Sequence, residues 1–268
     1  MQITFYGVRG SIPSPGPDTV KFGGNTSCVH VELNNGQRLI LDAGTGLRSL
    51  GQKLRSDNTD INLILSHGHW DHIQGYPFFA PIYQADRQIN VFTSDAGGHK
   101  LLCSLFDQMD GYNFPLKIDD LPSNSECIFK ATETVLHEKG IHITKKALNH
   151  PGGGSAYRIE DEGASCAYIT DNELDPPYKV NTRYDEWVDF CSGVDVLIHD
   201  AQYTEDDMPH KHGWGHSLIS QVRQLAIDAE VQTLVLFHHD PDRTDAELDE
   251  IQIENESFFK QHYDNNKS

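Results

Sequence analysis

The chain has 268 residues, 37% of them hydrophobic, with 21 Lys+Arg against 40 Asp+Glu and a formal net charge of −19. Such a surface repels polyphosphate backbones and argues against tight, extended nucleic-acid binding. No apolar run approaches the roughly 18 residues of a membrane span. The five cysteines (Cys28, Cys103, Cys127, Cys166, Cys191) are scattered without a CxxC pair, and no charged segment leads into an apolar signal core. Both features predict reduced thiols and a cytoplasmic protein. No linker, repeat or low-complexity block divides the chain, so residues 1–268 are expected to form one domain.

In chain order, residues 1–6 read as a strand, followed by a loop whose only cation is Arg9. That guanidinium is placed either to meet a phosphate or to form a structural pair. Strands are expected at 29–33 and 38–41, after which Asp42-Ala43-Gly44-Thr45-Gly46 turns the chain into a helix. The apolar run 61–65 predicts a buried strand. It leads directly into Ser66-His67-Gly68-His69-Trp70-Asp71-His72, which holds four metal-capable side chains within six residues. In extended chain, residues i and i+2 share a face, so His67 and His69 can grip one ion. A helix beginning near Asp71 would turn Asp71 and His72 toward a second. Imidazole and carboxylate together suit zinc or a similar divalent ion.

Further along, 96–109 predicts a helix with Leu101, Leu102, Leu105, Phe106 and Met109 on one face. The stretch 110–115 reads as a loop overhanging the site, and 97–130 otherwise carries little pattern. The strand-like segment 141–144 precedes His150 and the run Pro151-Gly152-Gly153-Gly154, and 167–170 ends at Asp171. Residues 194–198 predict a strand ending in His199-Asp200-Ala201. The stretch His210-Lys211-His212-Gly213-Trp214 is either a substrate loop or a solvated turn. A helix over 217–229 carries the stripe Leu218, Val222, Leu225, Ala226 and Ala229. A strand over 231–237 leads into His238 and His239, and alternation lets only one of the two face inward. Thr244 and Glu247 form a capping box for a last helix, and the polar tail 263–268 is expected to fray.

The pattern His67, His69, Asp71, His72 resembles the HxHxDH signature of the metallo-β-lactamase fold, and His150, Asp171 and His238 follow in that superfamily's order. The resemblance implies an α/β protein, an αβ/βα four-layer sandwich of mixed sheets packed face to face with helices outside. It implies two divalent ions, zinc foremost and manganese as the alternative. His67, His69 and His150 would hold one, Asp71, His72 and His238 the other, with Asp171 bridging them and a bridging hydroxide as nucleophile. The family pattern favours His238 over His239.

The glycine-rich opening and Asp42-Ala43-Gly44 look like the ribonuclease Z-like and cyclic phosphodiesterase-like branch, where Asp42-Ala43-Gly44 would support the metals from beneath. In that branch a histidine–acid–alanine motif orients a further histidine. His199-Asp200-Ala201 and Gly215-His216-Ser217 resemble the pair, with Asp200 in place of the family's glutamate. The catalytic side chains would be Asp71, His216 and Asp200, with His216 stabilising the phosphate or protonating the leaving alkoxide. No GxSxG elbow offers a serine nucleophile. The expected substrate is a small cyclic or nucleotide-like phosphodiester, with neither membrane nor stable nucleic-acid partner; a homodimer is compatible with the sequence. The alternatives are a tRNA 3′ endonuclease of ribonuclease Z type, for which the sequence offers no basic Gly/Pro-rich arm, and a thioester or lactone hydrolase.

Overall fold

A computed structural model describes residues 1–93, 98–128 and 132–265, without the side chains of 98–100, 102–103 and 263–265. Ala96, Gly97, Lys130, the side chains of Leu102 and Cys103, and the last residues of the expected frayed tail lie outside the described residues. Among the described residues, eleven strands form two mixed sheets. The first contains β1 (Gln2–Gly7), β2 (Cys28–Glu32), β3 (Arg38–Leu41), β4 (Ile61–Ile64), β5 (Gln88–Phe92) and β6 (Asn124–Ile128), in that spatial order. The second contains β7 (His142–Ala147), β8 (Ser155–Asp161), β9 (Ala164–Ile169), β10 (Val196–Asp200) and β11 (Thr233–Phe237), also in sequence order. Helices are α1 (Gly46–Leu54), α2 (Trp70–Ile73), α3 (Gly98–Asp107), α4 (Thr132–Glu138), α5 (Tyr184–Cys191), α6 (Ile219–Asp228) and α7 (Asp245–Asn265).

Period-2 alternation distributes the apolar residues into layers. Val29, Val31, Leu39 and Leu41 of the first sheet meet Tyr157, Ile159, Cys166, Tyr168 and Phe237 of the second in a shared inner core. The opposite faces bury Ile40, Leu63, Ile89 and Val91 beneath Leu47 and Leu50 of α1, and Ala167, Ile169 and Leu197 beneath Trp187 of α5 and Val222 and Leu225 of α6. This is the four-layer αβ/βα sandwich expected from the sequence, and among the described residues no helix is long and apolar enough to cross a membrane.

Strand direction positions the site. β3 to β6 run parallel, as do β9 to β11, while the remaining pairs are antiparallel. The C-terminal ends of β3, β4, β9, β10 and β11 lead into Asp42, Ser66-His67, Asp171, Asp200 and His238. Ligand sites in α/β sheets form at such carboxyl ends, where the chain leaves the sheet and its side chains become free to converge.

Several elements depart from the sequence reading. β10 runs from Val196 to Asp200, two residues later than the expected 194–198, and α6 begins at Ile219, which leaves His216 and Ser217 ahead of the helix. β5, β6, β8, α4 and α5 had no clear signature. β6, Asn124 to Ile128, is a polar edge segment that gains its conformation by pairing with β5. The loop at 110–115 is anchored through Phe114 on the segment that follows α2. Phe114 meets Phe78 edge-on at 5.6 Å, beside Gln52 and Arg55 at the end of α1.

Candidate metal centre

The seven residues singled out in the sequence converge into two adjoining groups. His67, His69, His150 and Asp171 form one, and Asp71, His72, Asp171 and His238 the other, with ligand atoms in each group within 4.8 Å of one another. Asp171 belongs to both, through different oxygens. Its Oδ2 lies 3.5 Å from His67 Nε2 and 3.7 Å from His150 Nε2. Its Oδ1 lies 3.0 Å from His72 Nε2 and 3.2 Å from His238 Nε2. Asp71 Oδ2 completes the second group at 3.1 Å from His238 Nε2 and 3.3 Å from His72 Nε2. His69 joins the first through Nδ1, 3.0 Å from His150 Nε2.

Local chain geometry produces this convergence. His69 is extended at the N-cap of α2, so the following turn carries Asp71 and His72 inward. Asp42, Asp171 and His238 all adopt left-handed backbone, with φ of 62°, 50° and 57°. Non-glycine residues rarely adopt that region, and it re-aims a side chain at a strand end where simple alternation would not. The turn at His238 sends its ring to the centre, while His239 packs toward Phe22 and its backbone pairs with Val8 and Gly10.

Four imidazoles are fixed from behind. His72 Nδ1–H donates to Asp42 Oδ2 at 2.9 Å, His150 Nδ1–H to the Gly215 carbonyl at 3.0 Å, and His238 Nδ1–H to Gln202 Oε1 at 3.1 Å. The Ser66 hydroxyl donates to Asp42 Oδ2 at 2.8 Å, so His67 Nδ1–H donates to Ser66 Oγ at 3.0 Å. Each bond selects the tautomer that turns an Nε2 lone pair toward the centre. His67 Nε2 and His72 Nε2 are buried and make no hydrogen bond. Buried polar atoms are rarely left so, and unprotonated nitrogens converging on carboxylate oxygens fit a divalent cation.

Burial and the carboxylate field divide the four rings. Burial pushes the pKa of His67 well down and that of His150 to about 4, favouring neutral rings. At His72 burial acts in the same direction, but Asp171, Asp71 and Asp42 reverse it, and Asp171 and Asp71 likewise push His238 up to about 9. Burial would raise Asp71 and Asp171, yet the surrounding histidines hold both carboxyls well below the usual range.

His216 stands beside this cluster. Its Nδ1 lies 2.6 Å from Asp200 Oδ2, and its ring stacks on His238 at 5.0 Å. Asp200 is itself fixed by the backbone N–H groups of Asn172 and Gln202. The shorter acid therefore reaches its histidine. Arg9 is structural: its guanidinium is fully buried, donates to the carbonyls of Gly23 and Arg243, and faces Asp245 at 3.5 Å. The 210–214 stretch is a tethered turn, with Lys211 bridging Asp207 and Asp240. Ser11, whose N–H donates to Asp71 Oδ2 at 2.7 Å, and Gln202 were not found by sequence reasoning. Only the proximity of Gln202 to Asp200 offered a signal.

A family model described as the beta-lactamase superfamily domain matches residues 37–239, a span that contains all seven converging residues. The chain belongs to this superfamily. It is 24% identical to ribonuclease Z of Picrophilus torridus, over 98% of this chain and 92% of that protein. Among solved structures it resembles the metallo-β-lactamase fold protein YhfI of Bacillus subtilis, with a TM-score of 0.66 at 19% identity, over 93% of this chain and 90% of that one. It also resembles a diphosphatase of the PhnP family, with a TM-score of 0.62 at 19% identity, over 92% and 89% of the two chains.

Proposed function

We propose that this metal-dependent phosphodiester hydrolase acts on a small cyclic or nucleotide-like diester, with two divalent ions, zinc foremost, at the convergent groups. His67, His69, His150 and Asp171 Oδ2 would hold one, and Asp71, His72, His238 and Asp171 Oδ1 the other. When bound, the ions supply Lewis acidity and a nucleophile at neutral pH. The protein's own contribution is to hold the ligand tautomers and to exclude competing partners. Asp71 is fixed by the Ser11 N–H, which donates to the same Oδ2 that meets His72 and His238.

The observation that carries the reading is the His216–Asp200 pair. Asp200 occupies Nδ1 of the imidazole at 2.6 Å, which leaves Nε2 as the nitrogen that meets substrate. A positioned imidazole protonates a poor alkoxide leaving group, and a diester of a sugar hydroxyl needs that help. A thioester, whose thiolate leaves readily without a proton, needs it far less, so the pair speaks for a substrate with an alkoxide leaving group. The net charge of −19 favours a small anion drawn in by local cations over a long polyanion.

Similarity to ribonuclease Z supports a second reading, cleavage of tRNA 3′ trailers. Purified, metal-replete protein assayed against cyclic and linear nucleotide diesters and against a precursor tRNA separates the two. Turnover of one or more small diesters with negligible tRNA cleavage is expected. Efficient tRNA cleavage with no small-diester activity overturns the proposal.

A further inference from the structure

Glu173 has no place in the ligand set, yet its carboxylate is almost completely buried, with the side chain 3% exposed. A buried carboxylate is costly unless its oxygens are fully hydrogen-bonded. Here they are occupied by one short piece of backbone. Gly213 N–H donates to Oε1 at 2.8 Å and Gly215 N–H to Oε2 at 2.9 Å, with the Tyr178 hydroxyl at 3.4 Å from Oε2. Two N–H groups turned onto one carboxylate make a small backbone anion cradle, and it depends on the φ of +90° at Gly213 and +94° at Gly215. The strap thus formed lies hard against the centre. A Cβ on Gly215 would sit 2.1 Å from His150 Nδ1, and the Gly215 carbonyl accepts that same Nδ1–H. The next residue is His216. From the other direction, the Glu173 backbone N–H donates to the Asn149 carbonyl at 2.9 Å, directly before His150.

We propose that Glu173 is a positioning residue: by fixing the Gly213–Gly215 strap it sets the orientation of His150 and of His216 together. Its carboxylate touches neither imidazole and acts through the backbone between them. The inference rests on the reading of His150 as a ligand and His216 as the leaving-group histidine.

Glu173→Gln tests it with little change in volume. An amide offers one oxygen, so one of the two glycine N–H groups must face an NH₂ and the strap must shift. Shifts of this kind in groups remote from the chemistry cost up to about 100-fold in rate. In zinc-loaded protein, two readouts apply. In ¹H–¹⁵N spectra tuned to imidazoles, the Nδ1–H signals of His150 and His216 should move. On a sugar diester, kcat should fall at least roughly tenfold while KM stays within about twofold. Tyr178→Phe is the control for His216, since it removes a neighbour of the same carboxylate, and a 3.1 Å bond to the Asn149 carbonyl before His150, but neither glycine bond. It should leave the His216 signal in place.

A Glu173→Gln protein that melts at a lower temperature but keeps both signals and its kcat overturns the proposal, because Glu173 would then be only a structural anchor. Equal movement of the His216 signal in Tyr178→Phe also overturns it. If the signals move in Glu173→Gln but the unsubstituted protein hydrolyses no phosphodiester, the positioning role stands and the assignment of function fails.

Discussion

Asp42 offers a direct test of how the centre is held. Its two oxygens accept four buried hydrogen bonds: from Ser66 N–H at 2.7 Å, Ser66 Oγ at 2.8 Å, Tyr168 OH at 2.8 Å and His72 Nδ1 at 2.9 Å. Asn is the informative replacement, because it tolerates the left-handed backbone at φ 62° and has the same shape. Its single oxygen serves best at the Oδ2 position, where three of the four donors meet. The Ser66 N–H then faces an NH₂. One orphaned buried donor costs roughly 1–3 kcal/mol of stability. Loss of the charge behind His72 also makes that imidazole a weaker ligand, and substitutions in such supporting groups typically weaken metal binding by about 10–100-fold. Zinc competition against a chromophoric chelator, paired with urea unfolding of the metal-free proteins, measures both effects. The expected outcome for Asp42→Asn is weaker binding of at least one ion by roughly tenfold or more, beside a stability loss of roughly 1–3 kcal/mol. A loss of stability with unchanged affinity for both ions would show that Asp42 braces the strands without tuning the ligand.

Asp171→Ala removes an oxygen from each group, so metal analysis should find fewer than two ions per chain; two retained ions would refute the bridging role. His238→Ala should abolish activity while His239→Ala retains a clear part of it, and the reverse would place the wrong histidine at the centre. His216→Ala should keep its metals and lose roughly 10²–10⁴-fold on a sugar-alkoxide diester, but far less on bis-p-nitrophenyl phosphate, whose leaving group needs little protonation. Equal losses on both would make His216 a phosphate contact and not an acid. Burial, with Arg9, His238 and Arg243 nearby, pushes His239 down to about 3. Its unfolded value is about 6.5, so below that pH the unfolded chain takes up a proton that the folded chain refuses. Stability should therefore be full above about pH 6.5 and fall toward pH 3, by up to about 1.4 kcal/mol per pH unit from this group. In metal-free protein, His239→Asn should flatten the fall in unfolding free energy between about pH 7 and pH 5; an unchanged slope would show that His239 protonates freely in the fold.

The stretch from His67 to His72, which supplies part of both groups, was readable because its residues are local. A buried strand followed by His67-Gly68-His69-Trp70-Asp71-His72 places four side chains by chain geometry alone, through alternation and then one helical turn. Strands such as β3 and β11 were equally plain, since an apolar run bounded by turn residues has few other ways to bury itself. His150, Asp171 and His238 carried no such signal one at a time; only their order and the family resemblance singled them out. The polar edge strand β6 was not legible, because its conformation comes from pairing with β5 and not from its own composition.

What the sequence determines by itself is the layered α/β architecture and the kind of metal chemistry, because periodicity and residue type act within a few residues. The family resemblance added His238 and the Asp200–His216 pair, and tertiary structure decided how each is placed. It withdrew Arg9 from the site into a buried pair with Asp245 and sent His238 inward in place of His239. It also closed the Asp200–His216 contact across 16 residues and set Glu173 behind two glycines. Each of those outcomes depends on which strand ends lie side by side and on left-handed residues that turn a side chain off its strand, and neither is encoded in local pattern.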